Sequence, residues 1–187
     1  MFDSPPCVCY NSAMSASSKN IILVGFMGAG KSVTAKRLQA LYKRKLVSTD
    51  ALIEEREKRP ITQIFKDSGE PYFRSVEKAV VEDLSRENNL IIDCGGGVVL
   101  NQENIDNLKR TGIMFYLKAT AEITYDRVKN EKHRPLLNVA DPKAKIKELL
   151  DARQSSYAKA HCTIDTSHKT IDQVVDEILN VIKNDRT

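Results

Sequence analysis

The run Gly25-Phe26-Met27-Gly28-Ala29-Gly30-Lys31-Ser32 has the spacing G-x-x-x-x-G-K-[ST]. Its chemistry is narrow. Glycines let successive backbone N–H groups turn inward around phosphate oxygens, the lysine reaches the β- and γ-oxygens, and the serine hydroxyl ligates Mg²⁺. The run follows an apolar stretch and opens a segment carrying Ala35, Leu38 and Leu41 at helical spacing. That is the context in which such a loop holds a nucleotide. Gly28, Ala29, Gly30, Lys31, Ser32 and Val33 are the expected nucleotide-binding set. A phosphate loop alone does not separate a kinase from a switch GTPase or a motor ATPase. No guanine-reading N-K-x-D is present, and the chain is short for a motor.

Two further groups stand where a strand ends. Ser48-Thr49-Asp50 closes a second apolar run, and Asp93-Cys94-Gly95-Gly96-Gly97 closes a third. Open α/β sheets bind ligands at such ends. Asp50 can accept a hydroxyl proton, or it can simply cap a helix starting at Ala51. The three glycines can present backbone N–H groups to a ligand, or form a plain loop.

The elements that must position these residues follow from the hydrophobic pattern. Short apolar runs at Ile21–Val24, Leu46–Val47, Leu90–Ile92, Ile113–Leu117 and Cys162–Ile164 alternate with longer amphipathic segments. Ile171, Val174, Val175, Ile178, Leu179 and Ile182 keep the i, i+3, i+4, i+7 rule behind a Thr170-x-x-Gln173 capping box. Asp141-Pro142 is an N-cap and N1 pair ahead of Ile146, Leu149, Leu150 and Tyr157. Phe73, Val76, Val80 and Leu84 share a stripe. Strands separated by helices require crossovers, hence a parallel sheet covered on both faces. The expected fold is an α/β three-layer sandwich around a five-stranded parallel sheet. Residues 20–187 form its single domain, behind a flexible arm at 1–19. Residues of about 51–88 hold too much helix for one crossover and are expected to form a helical substrate-binding insertion. The stretch of about 128–140 is basic and broken by prolines, and is expected to be a mobile lid.

Composition excludes other classes. The chain has 187 residues, 41% hydrophobic and 29% charged, which fits one globular domain. A net charge of +4 is too mild for a dedicated nucleic-acid binder. No run approaches the ~20 apolar residues of a membrane span. Four cysteines make no disulfide framework, and no export signal precedes the domain, so a cytoplasmic protein is expected. The expected partners are small molecules, without nucleic acid or membrane, and the expected state is a monomer.

Beyond the phosphate loop, the sequence resembles the shikimate kinase family from about residue 20 to its C-terminus. The resemblance is carried by the phosphate loop, Ser48-Thr49-Asp50-x-x-Ile53-Glu54, Ile61-x-x-Ile64-Phe65 and Gly69-Glu70-x-x-Phe73-Arg74-x-x-Glu77. It continues in Gly95-Gly96-Gly97, Arg134-Pro135-Leu136-Leu137 and Arg153-x-x-x-Tyr157. It implies a nucleoside-monophosphate-kinase-like fold, ATP as co-substrate, Mg²⁺, and shikimate 3-phosphate as product. It implies that Arg74 and Arg153 grip the shikimate carboxylate, and that Asp50 holds the ring hydroxyls and serves as base. Gly95, Gly96 and Gly97 supply backbone contacts. Arg134 closes from the lid and neutralises charge on the transferred phosphoryl, with Lys31, Asp50 and Arg134 forming the catalytic set. Arg127 flanks the adenine, and Thr166 to Lys169 matches the adenine loop.

One departure stands out. The family usually has Asp-x-Asp after its second strand, with the first Asp holding Mg²⁺ through water; here that position is Ser48. Conversely, Leu90-Ile91-Ile92-Asp93 has the form of a Walker B strand. Asp93 is therefore expected to support the metal behind Ser32, or else to cap the glycine loop. A gluconate-kinase-like or nucleotide-kinase-like enzyme, and a catalytically silent nucleotide-binding module, are the alternative readings.

Overall fold

In the computed structural model, residues 19–129 and 139–184 are described. Residues 1–18 of the 1–19 arm, most of the lid with Arg134, and residues 185–187 lie outside them. The chain runs β1 (Asn20–Val24), α1 (Lys31–Tyr42), β2 (Lys45–Ser48), α2 (Thr49–Glu57), α3 (Ile61–Leu84) and β3 (Leu90–Asp93). It continues with α4 (Gln102–Thr111), β4 (Gly112–Lys118), α5 (Ala121–Val128), α6 (Pro142–Tyr157), β5 (Cys162–Asp165) and α7 (Ile171–Asn184). The five strands are all parallel, in the order β2-β3-β1-β4-β5. Each apolar run noted above became one of them.

Alternation along the strands splits the core in two. Ile22, Val24, Ile92, Met114 and Tyr116 face one cluster, which α3, α4 and α6 cover with residues such as Phe73, Val80, Leu108, Ile146 and Tyr157. Ile21, Leu23, Ile91, Phe115 and Leu117 face the other, covered by α1 and α7. The result is helix on sheet on helix.

The caps form where the residue types call for them. Thr170 N–H donates to Gln173 Oε1 at 2.8 Å, and Gln173 N–H returns to Thr170 Oγ1 at 3.3 Å. Asp141 Oδ1 accepts from Ala144 N–H at 3.0 Å, with Pro142 in the first turn of α6. Helix α2 differs from the capping alternative raised for Asp50. It begins at Thr49, Ser48 Oγ accepts from Ala51 N–H at 3.4 Å, and Asp50 lies inside the first turn. A serine at the end of a strand already has the extended backbone that a cap requires. Among the described residues no helix is long and apolar enough to cross a membrane.

Candidate active site

Strand order brings the reactive ends together. β1 lies between β3 and β4, so the phosphate loop after β1 and the glycine loop after β3 leave the sheet side by side. Their connection is direct: Cys94 N–H donates to Leu23 O at 3.0 Å. Gly28 and Gly30 take φ of 71° and 89°, the left-handed turn that aims N–H groups into the loop and starts α1. Lys31 Nζ donates to Phe26 O at 3.1 Å across the loop mouth.

The loop is also anchored from behind. Arg127 Nη1 donates to Gly28 O at 3.0 Å and Nη2 to Thr166 O at 2.7 Å, while Thr166 Oγ1 donates to Ala29 O at 3.1 Å. Ala29 is consequently buried rather than exposed to the cleft. Lys169 pairs with Glu177 at 2.6 Å. Arg127 and Lys169 thus stand at the β4 and β5 side of the loop, not among the residues lining the cleft.

In front of the loop is a cleft of about 720 Å³. Gly28, Gly30, Lys31, Ser32 and Val33 line one end; Asp50, Arg74, Glu77, Gly95, Gly96, Gly97 and Arg153 line the other, with Phe26, Phe65 and Phe73 as apolar wall. Ser48 and Asp93 also line the cleft, and the parallel register pairs them directly across β2 and β3. Among the described residues the Asp93 carboxylate makes no hydrogen bond or ion pair, so the loop-capping alternative is not what it does. Gly95 N–H is satisfied instead by Thr49 Oγ1 at 2.8 Å.

The glycine loop is glycine for reasons of space. A Cβ on Gly95 would collide with the Asp50 carboxylate, and one on Gly97 with the Arg74 guanidinium. The middle glycine is held from its carbonyl: Tyr157 Oη donates to Gly96 O at 2.6 Å, its ring stacked on Tyr116 at 4.7 Å and 7°. Burial pushes the Tyr157 phenol up to about 12, against the opposing pull of Arg153, so the hydroxyl stays a donor at neutral pH. One turn earlier on α6, the Arg153 guanidinium lies over the Phe26 ring at 5.6 Å.

Sequence reasoning did not assign Glu77 to the site. Its side chain is only 1% exposed and accepts from Arg74 Nη1 at 2.9 Å, so this is no surface i,i+3 pair. Burial raises the Glu77 carboxyl above its ordinary value; Arg74 partly offsets that and the Asp50 charge adds to it. Arg74 is desolvated too, yet Glu77 and Glu70 hold its pKa above the usual guanidinium value. The signal was present in the sequence: a carboxylate on the same stripe as Phe73, Val76, Val80 and Leu84 has to be paired when the stripe is buried.

A parallel α/β sheet with a phosphate-binding loop at one end of a cleft and two arginines, a carboxylate and a glycine loop at the other has the make-up of a P-loop small-molecule phosphotransferase. Comparison with known proteins narrows the class. The shikimate kinase family model matches residues 27–183. The shikimate kinase of Caldanaerobacter subterraneus subsp. tengcongensis is 43% identical over 161 residues, which are 86% of this chain and 94% of that one. The Dehalococcoides mccartyi shikimate kinase is 45% identical over 160 residues, 85% and 90% of the two chains. Among solved structures, shikimate kinase from Acinetobacter baumannii in complex with shikimate superposes with a TM-score of 0.84 at 35% identity, covering 89% of this chain and 94% of that one. The chain belongs to the shikimate kinase family, ATP-dependent enzymes that phosphorylate shikimate.

Proposed function

We propose that the cleft runs this reaction with the following division of labour. The observation that carries it is the single cleft lined at one end by Lys31 and Ser32 and at the other by Asp50, Arg74, Gly95–Gly97 and Arg153. Gly28 to Val33 hold the ATP phosphates, with Lys31 on the β- and γ-oxygens. Arg127 and Lys169 border the adenine side. Arg74 and Arg153 bind the shikimate carboxylate, because a planar fork of donors suits a carboxylate better than a point charge does. Asp50 orients the 3-hydroxyl, whose oxygen attacks the γ-phosphorus. The bond from that phosphorus to the bridging oxygen breaks, ADP leaves with the electron pair, and the hydroxyl proton passes to Asp50. Little covalent chemistry is asked of the protein beyond positioning and charge neutralisation. Arg134, from the 128–140 lid, supplies further positive charge to the transferred group. The chain acts as a cytoplasmic monomer in this reading, consistent with the free thiols of Cys94 and Cys162.

Mg²⁺ fits the donors available. Ser32 and Asp93 offer hard oxygens in the cleft, and among the described residues no cluster of three His, Cys, Asp or Glu forms a cage of its own. That is the arrangement for an ion that keeps its waters and its phosphate ligands. When bound, the ion offsets negative charge on the β- and γ-phosphates. Ser32 would hold the ion and Asp93 would support it, taking the part for which Ser48 has no carboxylate. Asp93→Asn should weaken the gain in ATP affinity on adding Mg²⁺ by roughly tenfold, read by calorimetry with and without the ion. An unchanged gain would remove Asp93 from the metal site.

The function is tested by ADP release from Mg²⁺–ATP with and without shikimate, with quinate and gluconate as competing acceptors. Arg74→Lys keeps a cation beside Glu77 but loses the fork. It should raise KM for shikimate about 10- to 100-fold, the range of one or two charge-assisted hydrogen bonds. ATP binding without shikimate-dependent release would overturn the proposal.

A further inference from the structure

Arg74 makes two carboxylate contacts of different kinds. Nη1 donates to Glu77, which is buried in the cleft wall. The opposite edge donates to one oxygen of Glu70, from Nε at 3.2 Å and Nη2 at 2.9 Å. Glu70 lines the cleft, and its side chain is 59% exposed. Apart from the Nη1 bond to Glu77, Nε and Nη2 form a pair of parallel donors, an edge of the kind that a carboxylate ligand takes bidentately. An acceptor's carboxylate arriving at Arg74 meets donors that another carboxylate already holds.

The backbone suits Glu70 to letting go. Helix α3 is broken here: Gly69 has φ 76° and ψ 173°, and Pro71 follows. Glu70 stands at the break, and among the described residues Arg74 is its sole hydrogen-bond partner. Its side chain can rotate into solvent without disturbing Phe73 or Val76 beneath, which are buried.

We infer that Glu70 is a tethered competitor for the acceptor's carboxylate, occupying the Nε/Nη2 edge of Arg74 in the empty enzyme and displaced when that carboxylate binds. The inference rests on Arg74 being the carboxylate grip proposed above. Glu70 gives the cleft cation a second carboxylate while the site is empty, and it makes the carboxylate the part of the ligand that opens the site. A ligand with only hydroxyls offers Arg74 weaker, uncharged bonds and leaves Glu70 in place. The cost to a true acceptor is small. An exposed i,i+4 ion pair forms only a few times more often than it breaks, and apparent affinity falls by the fraction of sites that are open.

The test is shikimate binding to the whole chain by calorimetry without nucleotide, in wild type, Glu70→Gln and Glu70→Ala. Both variants should bind shikimate about three- to sixfold more tightly. The methyl ester of shikimate, compared as an acceptor by kcat/KM, should show no such gain, because it cannot displace the acid. Unchanged or weaker shikimate binding in both variants overturns the inference, and so does an equal gain for the ester. If wild type binds no shikimate at all, the acceptor assignment fails, which is distinguishable from failure of Glu70 alone.

Discussion

At Gly97 the missing side chain is what lets Arg74 lie flat in the cleft, since a methyl group there would occupy the guanidinium's place. Gly97→Ala should therefore behave like a lesion in Arg74. We expect KM for shikimate to rise at least tenfold, the loss of one charge-assisted hydrogen bond or more, while ATP affinity without acceptor is kept. Steady-state kinetics together with ATP calorimetry would separate the two; an equal loss for ATP would mean that the whole glycine loop had shifted. The sequence offered Gly95–Gly97 as backbone donors to a ligand or as a plain loop, and did not show which side chains press against them. Asp50 and Arg74 come from far along the chain, and only the sheet order brings them to the glycines. The phosphate loop was legible because its ligand contacts are local, made by consecutive backbone groups. Asp93 was legible as an acid ending a strand, but its pairing with Ser48 needed the register of β2 and β3.

Among the elements, α3 carries the most function and the most conflict. Its apolar stripe is buried as the spacing required, yet Glu77 is buried with it, and the helix breaks at Gly69 and Pro71. The buried acid gives the stability a pH signature. Its folded pKa is raised, chiefly by burial, so the folded state holds the proton to higher pH than the unfolded chain does. Stability should then decline as pH rises from the ordinary glutamate value of about 4.3 through the raised folded value, because the native state binds more protons there. Urea unfolding across that range should show the component in wild type and its loss in Glu77→Gln; identical slopes would remove Glu77 as its source. Helix α7 was readable in nearly every detail, cap included, except that Ile171 is 37% exposed. As the first helical residue it lies ahead of the turn that packs on the sheet. The helix start at Thr49 was missed because Ser48 belongs to both strand and cap.

For the whole molecule, the sheet sets a second core apart from most of the cleft. The acceptor end of the cleft is built at the strand ends and on the α3 and α6 side, whereas α7 and the body of α1, beyond the first turn that carries Lys31, Ser32 and Val33, pack a second core on the opposite face. Ile178 is fully buried in that second core. Ile178→Ala should cost about 2–5 kcal/mol of stability, seen as a lower unfolding midpoint, with KM for ATP and shikimate unchanged at temperatures where the variant is folded. A shifted KM would show that the two faces are coupled. The fold class was legible because five apolar runs alternate with amphipathic segments, a purely local pattern. The strand order was not, because nothing local states that β3 inserts between β1 and β2. That insertion has a consequence for how such enzymes diversify. Asp50, Glu70, Arg74 and Glu77 all lie on one excursion of the chain that leaves the sheet at β2 and returns at its neighbour β3. Both attachment points are fixed by strands that the phosphate loop does not need to change. Most of the proposed acceptor site is thus a replaceable cassette, and a new excursion between the same two strand ends could redirect the enzyme while the phosphate loop is inherited intact.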